Sequence, residues 1–403
     1  MRYLDEHVPD TLLGPAELEL RERLRTVLAS EVAPRAAEVD AAGAFAGPSY
    51  QALARAGLAR LLFRPEHGGT GHGTVAYAMA VAEIAAVCAS TSLIYMTQTH
   101  AAFPILVAGT EAQRHEYLPS LCSGERYGSL AITEPEAGSD VAALRTVAYR
   151  DGAGYLLDGA KTFITTGDRA DVIVCFATVD PAAGRDGLTA FIVEGDAPGL
   201  RRGRVLDKLG MHGSTTAELF LDGVRVPAGA LLGREGGGWE LSMRSVVKSR
   251  ISAAAQGVGI ATGAYLAGLD RLHAGGRPPQ RVAFALAELR TAIAAARLLL
   301  YATAAAADRA DAPDLVAEVA MLKLACTDLG VHVADTMTGL LGGAGDLTGT
   351  GVEHRLRDAV VTQIYDGTNN VQRLLVDRDT RKRLSPVLAG GSEGSSPERR
   401  EAS

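Results

Sequence analysis

Apolar residues recur at helical spacing through Leu18, Leu20, Leu24, Val27 and Leu28, as along one face of an amphipathic helix. Pro15, followed by Glu17 and Glu19, suits a first helical turn, where a missing N–H does no harm and acids meet the positive end of the helix dipole. Ser49–Leu58, Thr74–Ser90 and Glu111–Leu121 carry the same pattern, the last ending near Gly124. A glycine-rich loop, His67–Gly73, precedes the second of these. Residues 1–125 read as a helical N-terminal domain.

The pattern then shortens. Thr146–Arg150 and Tyr155–Leu157 flank Asp151-Gly-Ala-Gly154, a hairpin signal. Val172–Val179, Leu188–Val193 and Ala217–Leu221 read as strands, with Asp222-Gly223 turning the chain into Val224–Pro227. Residues 126–235 are predicted to form a β domain, a small barrel or sandwich.

From residue 236 the helical period returns. Trp239–Leu272, Gln280–Ala307 and Pro313–Leu341 are long, alanine-rich and striped with apolar residues, which predicts a packed antiparallel bundle over 236–384. Gly275–Pro279 separates the first two. Ser385–Ser403 is rich in Ser, Gly, Pro and charge and reads as a disordered tail. The fold class is α+β multidomain: helices, then β structure, then helices again.

Composition removes several functions. Lys and Arg number 40 against 47 acids, a net charge of −7, so nucleic acid is not an expected partner. Cys88, Cys122, Cys175 and Cys326 lack zinc or redox spacing, and no metal site is expected. The N-terminus has no apolar signal core, and Ala85–Met96 and Ala292–Ala307 are too short or interrupted to span a bilayer. The expected compartment is the cytoplasm.

Four stretches carry chemistry: Tyr127-Gly-Ser-Leu-Ala-Ile-Thr-Glu-Pro-Glu-Ala-Gly-Ser-Asp140, Lys161-Thr-Phe-Ile-Thr-Thr-Gly167, Lys208-Leu-Gly-Met-His-Gly-Ser-Thr-Thr216, and Arg357-Asp-Ala followed by Ile364-Tyr-Asp-Gly-Thr-Asn-Asn-Val-Gln-Arg373. Taken singly, Thr-Glu-Pro or Ala-Gly-Ser-Asp is a turn. In this order and spacing, the set resembles the signatures of the acyl-CoA dehydrogenase family over about residues 10–384.

That resemblance implies a C-terminal four-helix bundle with FAD held between it and the β domain. It implies cofactor contacts from Ile132, Thr133, Gly138, Ser139, Phe163, Ile164, Thr165 and Thr368. Arg271, Gln280, Gly342 and Gly343 would reach the FAD of a neighbouring subunit in a homotetramer or homodimer. It implies substrate contacts from Ser139, Arg250, Tyr365 and Gly367, an acyl-CoA or acyl-carrier thioester as substrate, and an electron-transfer flavoprotein as partner.

Asp366 occupies the position where many members carry a catalytic glutamate. The implied reaction takes a weakly acidic proton from the carbon beside a thioester carbonyl, while the β-hydrogen leaves as hydride to flavin N5. The base must be ionised yet poorly solvated. The carbonyl is expected to accept hydrogen bonds from the main-chain N–H of residue 366 and a ribityl hydroxyl of the flavin, an oxyanion-type stabilisation. Aspartate is shorter than glutamate by one C–C bond, roughly 1.5 Å, and a displacement of 1 Å can cost about 10²-fold. Relatives with Asp here include some acting on cyclic acyl-CoA thioesters and the nitroalkane oxidases. Taken alone, Asp366-Gly-Thr368 also reads as a helix N-cap.

Other positions depart from the family pattern. The usual Asp before the helical arginine is Val247, Ser249 leaves no second carboxylate beside Arg250, Arg271-Leu-His-Ala-Gly275 replaces Arg-x-x-Phe-Gly, and Gly339 replaces a glutamine. A buried salt bridge is the alternative for Arg271. His67 and His72 read as solvated loop residues, and His212 takes a place often held by arginine. His100 is a candidate for lining the substrate cleft, Arg201–Arg204 for attracting a 3′-phosphate or lying exposed by a turn, and Trp239 for the core. Three functions compete: an acyl-CoA dehydrogenase, a related flavoenzyme acting on a carrier-bound, cyclic or nitroalkane-like carbon acid, and a non-catalytic partner subunit.

Overall fold

The computed structural model describes residues 4–5, 7–274, 276–309 and 315–390. The N-terminal part is helical: α1 (His7–Asp10), α2 (Pro15–Val27), α3 (Ala33–Ala42), α4 (Gly47–Arg55), α5 (Gly73–Val87), α6 (Ala89–Ala108) and α7 (Glu111–Ser123). A π-helical turn, Leu28–Val32, joins α2 to α3. Pro15 opens α2 with Glu17 in its first turn. Helix α7 opens on a capping box, Thr110 and Gln113 satisfying each other's main-chain N–H, and ends at Gly124 in the left-handed conformation, as glycine permits. Helices α5 and α6 are apolar almost all round and buried, the mark of a helix packed on every side.

The middle part is one eight-stranded sheet. Its strands are β1 (Gly128–Ala131), β2 (Val147–Asp151), β3 (Gly154–Thr165), β4 (Val172–Thr178), β5 (Leu188–Glu194), β6 (Leu200–Val205), β7 (Thr216–Pro227) and β8 (Leu231–Leu232). The order is β6-β7-β3-β2-β4-β5-β8, with β1 parallel to β4. The predicted hairpin joins β2 to β3, with Asp151 opposite Gly154.

Two sequence readings need correction here. Asp222-Gly223 does not turn the chain, because β7 runs through it. The register against β3 shifts between Leu157 and Gly159, Gly223 takes φ +58°, and its N–H donates to Asp158 at 2.8 Å. This is a bulge, which Asp-Gly serves as readily as a turn. Arg201–Arg204 form part of the edge strand β6 rather than flanking a turn, and the Arg201 guanidinium lies 4.5 Å from the Phe220 ring centre.

The C-terminal part comprises α8 (Gly238–His273), α9 (Gln280–Ala307), α10 (Val316–Leu341), α11 (Glu353–Thr362) and α12 (Asn369–Gly390). Helix α8 is the axle of the molecule. It packs on α10, α9 and α11 of its own bundle and on α5 and α6 of the N-terminal part. Helix α12 continues to Gly390, past Ser385 where the sequence suggests a tail. Residues 391–403, Gly275 and Pro313 lie outside the described residues. Trp239, half-buried at the start of α8, packs against the core, and His67 is buried rather than solvated. No helix among the described residues is long and apolar enough to cross a membrane.

Candidate active site

The loop between α11 and α12 holds Tyr365, Asp366, Gly367 and Thr368, and α8 and α10 grip it. Arg250 Nε of α8 donates to the Asp366 carbonyl at 3.2 Å. Lys323 Nζ of α10 donates to the Gly367 carbonyl at 3.1 Å and to Asn369 Oδ1 at 2.7 Å. Gln372 Nε2 donates to the same Gly367 carbonyl at 2.7 Å. A Cβ at Gly367 would meet Gln372 at 2.8 Å, and its φ is +88°, so glycine alone fits. Tyr365 donates its hydroxyl to Gln256 Oε1.

Asp366 sits at φ +55°, a conformation that strains a non-glycine residue by about 1–3 kcal/mol. Its Oδ2 is buried with no hydrogen-bond partner. It does not cap α12, because Thr368 Oγ1 takes the Val371 N–H at 3.3 Å. The N-cap reading fails because the residue in register with the helix start is two positions later. Among the described residues no acceptor takes the Asp366 main-chain N–H. The loop thus presents a strained carboxylate and a free N–H, and both await something not supplied by the fold.

Burial and the Asp366 carboxylate both act on the groups around it. Burial draws the Arg250 guanidinium down while Asp366 pulls it back up. Burial brings Lys323 to about 8 against the same opposing charge. Burial and then Asp366 push the Tyr365 hydroxyl well above its ordinary value.

The β domain carries Ile132, Thr133, Phe163, Ile164 and Thr165. The Thr162 N–H donates to the Thr133 carbonyl at 2.9 Å, and Ser129 Oγ donates to the Thr165 carbonyl at 2.8 Å. Those bonds lock β1 and the chain after it against β3. Beneath them Glu134, 6% exposed, pairs with Lys161 Nζ at 2.7 Å and accepts the N–H groups of Arg145 and Thr146. Burial works against ionisation of Glu134, but Lys161 and these hydrogen bonds outweigh it and hold the carboxyl below its usual range.

Phe163 has φ +56° and is 66% exposed. A large ring held out of the core on strained backbone needs a partner surface. Ile164 beside it is buried. The neighbouring Thr166 Oγ1 is buried and unpartnered, and Ile364, next to Tyr365, is 57% exposed. Gly138 and Ser139 lie exposed in the loop after β1, and a Cβ at Gly138 would meet nothing within 4 Å. Apolar faces, free hydroxyls and a bare loop suit a flat ring system with a polar tail, so these residues fit FAD.

Arg271 and its companions stand apart. Twenty-one residues of α8 separate Arg250 from Arg271, about 30 Å at 1.5 Å per residue. Arg271 is exposed and donates to the Thr350 carbonyl at 3.1 Å and the Gly349 carbonyl at 3.2 Å, not to a buried carboxylate. Gln280, Gly342 and Gly343 are also exposed.

Several residues were missed in the sequence. Lys323 is a lone charge in the apolar run Met321-Leu-Lys-Leu-Ala325, which is a usable signal. Ser252 and Gln256 sit one turn apart on the buried face of α8, where any polar residue needs a reason. His100 Nε2 lies 3.2 Å from Ser252 Oγ. His212 contacts the Asp40 and Lys208 carbonyls.

Three family models match in register: the acyl-CoA dehydrogenase N-terminal domain over residues 14–125, its middle domain over 129–224 and its C-terminal domain over 236–380. An acyl-CoA dehydrogenase of Bacillus subtilis is 37% identical, with 90% of this chain and 97% of the relative covered. Cyclohex-1-ene-1-carbonyl-CoA dehydrogenase of Geobacter metallireducens is 39% identical over 89% of this chain and 96% of the relative. The solved butyryl-CoA dehydrogenase of Megasphaera elsdenii superposes with a TM-score of 0.88 at 32% identity, covering 91% of this chain and 98% of that one. This chain belongs to the acyl-CoA dehydrogenase family and is a flavin-dependent oxidoreductase that uses FAD.

Proposed function

We propose that Asp366 is the base that removes the α-proton of an acyl thioester. The observation that carries this is the buried, partnerless Oδ2 of Asp366 on a strained loop. The free N–H of the same residue would donate to the thioester carbonyl and stabilise the enolate-like charge that develops on it. Arg250 and Lys323 hold the loop by its carbonyls, so neither neutralises the carboxylate by direct pairing. Tyr365 and Gly367 border the substrate, with Ser139 at the entrance. Ile132, Thr133, Gly138, Ser139, Phe163, Ile164, Thr165 and Thr368 would hold FAD. When bound, FAD supplies the two-electron acceptor for the β-hydrogen. Arg271, Gln280, Gly342 and Gly343 are assigned to the cofactor of a neighbouring subunit in a homotetramer or homodimer. An electron-transfer flavoprotein is the proposed reoxidant, and the cytoplasm the proposed compartment.

Asp366→Asn tests the assignment. Anaerobic bleaching of the flavin by butyryl-CoA should slow by about 10²–10⁴-fold, the usual contribution of a general base, while the bound FAD stays at wild-type stoichiometry. Undiminished bleaching would remove Asp366 from the chemistry.

A cyclic acyl thioester is the second reading. The shorter carboxylate favours it, and so does the similarity to a relative named for a cyclic substrate. A panel of linear and cyclic CoA thioesters, each also offered on a carrier protein, separates these readings. A purified protein that stays colourless with added FAD would instead favour a partner-subunit role.

A further inference from the structure

Resting on Asp366 as the base, we infer that the acyl chain carries a hydrogen-bond donor beyond its β-carbon, a hydroxyl or an amine, received by Nδ1 of His100. Every residue of α6 from Ala89 to Thr99 is buried, and His100 is the first to keep accessible surface. That surface faces inward. The ring is tied through Nε2 to Ser252 Oγ at 3.2 Å; Ser252 is fully buried and lies one turn of α8 from Gln256, on the same face, and Gln256 accepts the hydroxyl of Tyr365, the residue beside Asp366. Asp366 is also the charge that acts on the His100 ring. The imidazole therefore opens on the same cleft as the base.

The hydrogen bonds assign its tautomer. A serine hydroxyl has one donor and two acceptor sites. Ser252 Oγ donates back to the Lys248 carbonyl and accepts the Tyr77 hydroxyl at 3.2 Å. The remaining site is an acceptor, so His100 Nε2 carries the proton. Burial holds the ring below its ordinary value, with Asp366 opposing, so near neutral pH it is the uncharged form. Nδ1 is then a lone pair, and among the described residues no donor reaches it. The other polar groups close by are used internally. Tyr365 serves Gln256, whose amide serves the Ala89 carbonyl at 3.1 Å and Ser92 Oγ at 2.6 Å. An all-hydrocarbon acyl chain would leave Nδ1 desolvated and unpaired, which is unfavourable. An O–H or N–H on the chain satisfies it.

The test compares plain, terminally hydroxylated, terminally aminated and 4-oxo acyl-CoA thioesters of matched length with the FAD-loaded enzyme. It reads anaerobic flavin bleaching as kcat/KM. The expected result is a preference of about tenfold or more for the hydroxyl or amine over the plain chain, in line with one buried hydrogen bond. The hydroxyl and amine arms identify the donor. In His100→Leu that ratio falls to one or below. Ser252→Ala, which frees the tautomer without removing the ring, lowers it in part, with flavin content and melting temperature as folding controls. A wild-type preference for the plain or 4-oxo chain overturns the inference, as does an unchanged ratio in His100→Leu, and in all three the thioester reading survives. No bleaching by any thioester, with FAD bound, overturns that reading and this inference together.

Discussion

Arg250 Nε donates to the main-chain carbonyl of Asp366 at 3.2 Å and makes no ion pair with its carboxylate among the described residues. The cation holds the loop by its main chain and leaves the carboxylate without a cationic partner. Arg250→Lys keeps the charge but loses the fixed, planar donor geometry. Flavin bleaching should slow by about tenfold or more, with FAD content unchanged, in stopped-flow absorbance. An unaffected rate would make the contact incidental.

Lys161 and Glu134 are both buried, and their pair anchors the loop that carries Gly138 and Ser139. Lys161→Met leaves an uncompensated buried carboxylate. Truncating one partner of such a pair costs about 3–5 kcal/mol. Chemical denaturation should report a loss of that size, and the purified protein should hold less FAD.

Asp358, fully enclosed behind the Lys208–Thr216 stretch, accepts the N–H of Met211, itself at φ +52°. Burial pushes its carboxyl up to about 6, above the unfolded value of roughly 3.9. A raised carboxylate favours the protonated form in the fold. Its contribution is fully present below about pH 4 and is lost as pH rises through about 6. Asp358→Asn keeps an acceptor for Met211 and removes the charge. The variant should melt higher than wild type at pH 7, and the difference should vanish by pH 4. A constant difference across that range would exclude titration of Asp358 as its source.

Phe163 combines strained backbone with an exposed ring. Phe163→Gly relieves the strain and removes the ring. The FAD-free protein should melt no lower than wild type, while FAD binding weakens by about tenfold to a hundredfold, the equivalent of 1.5–3 kcal/mol of lost apolar contact. A destabilised apoprotein with normal FAD affinity would place the ring in the fold rather than the site.

Legibility in the sequence followed the locality of the cause. The helices α7 and α9 and the hairpin at Asp151–Gly154 are set by period, caps and turn residues within a few positions, and the chain alone revealed them. Asp222-Gly223 misled because a turn and a bulge ask for the same left-handed glycine, and only the partner strand β3 decides which forms. Helix α6 went unread beyond Ser90 because a helix buried on all sides has no polar face to mark its period. Candidate chemistry was legible where motifs place residues close together, as at Tyr365–Thr368. The roles of Ser252 and Gln256 were not, and Lys323 showed only as a charge in an apolar run, because what these side chains hold arises between helices far apart in sequence.

By itself, then, the chain determined the order of helical, β and helical parts and the loop that bears Asp366, since both rest on local pattern. The tertiary structure decided what that loop does with its charges. Packing α6, α8 and α10 around it assigned the cations to carbonyls, left Oδ2 without a partner and turned His100 inward. Such assignments depend on which side chains meet across helices, and no periodicity encodes that.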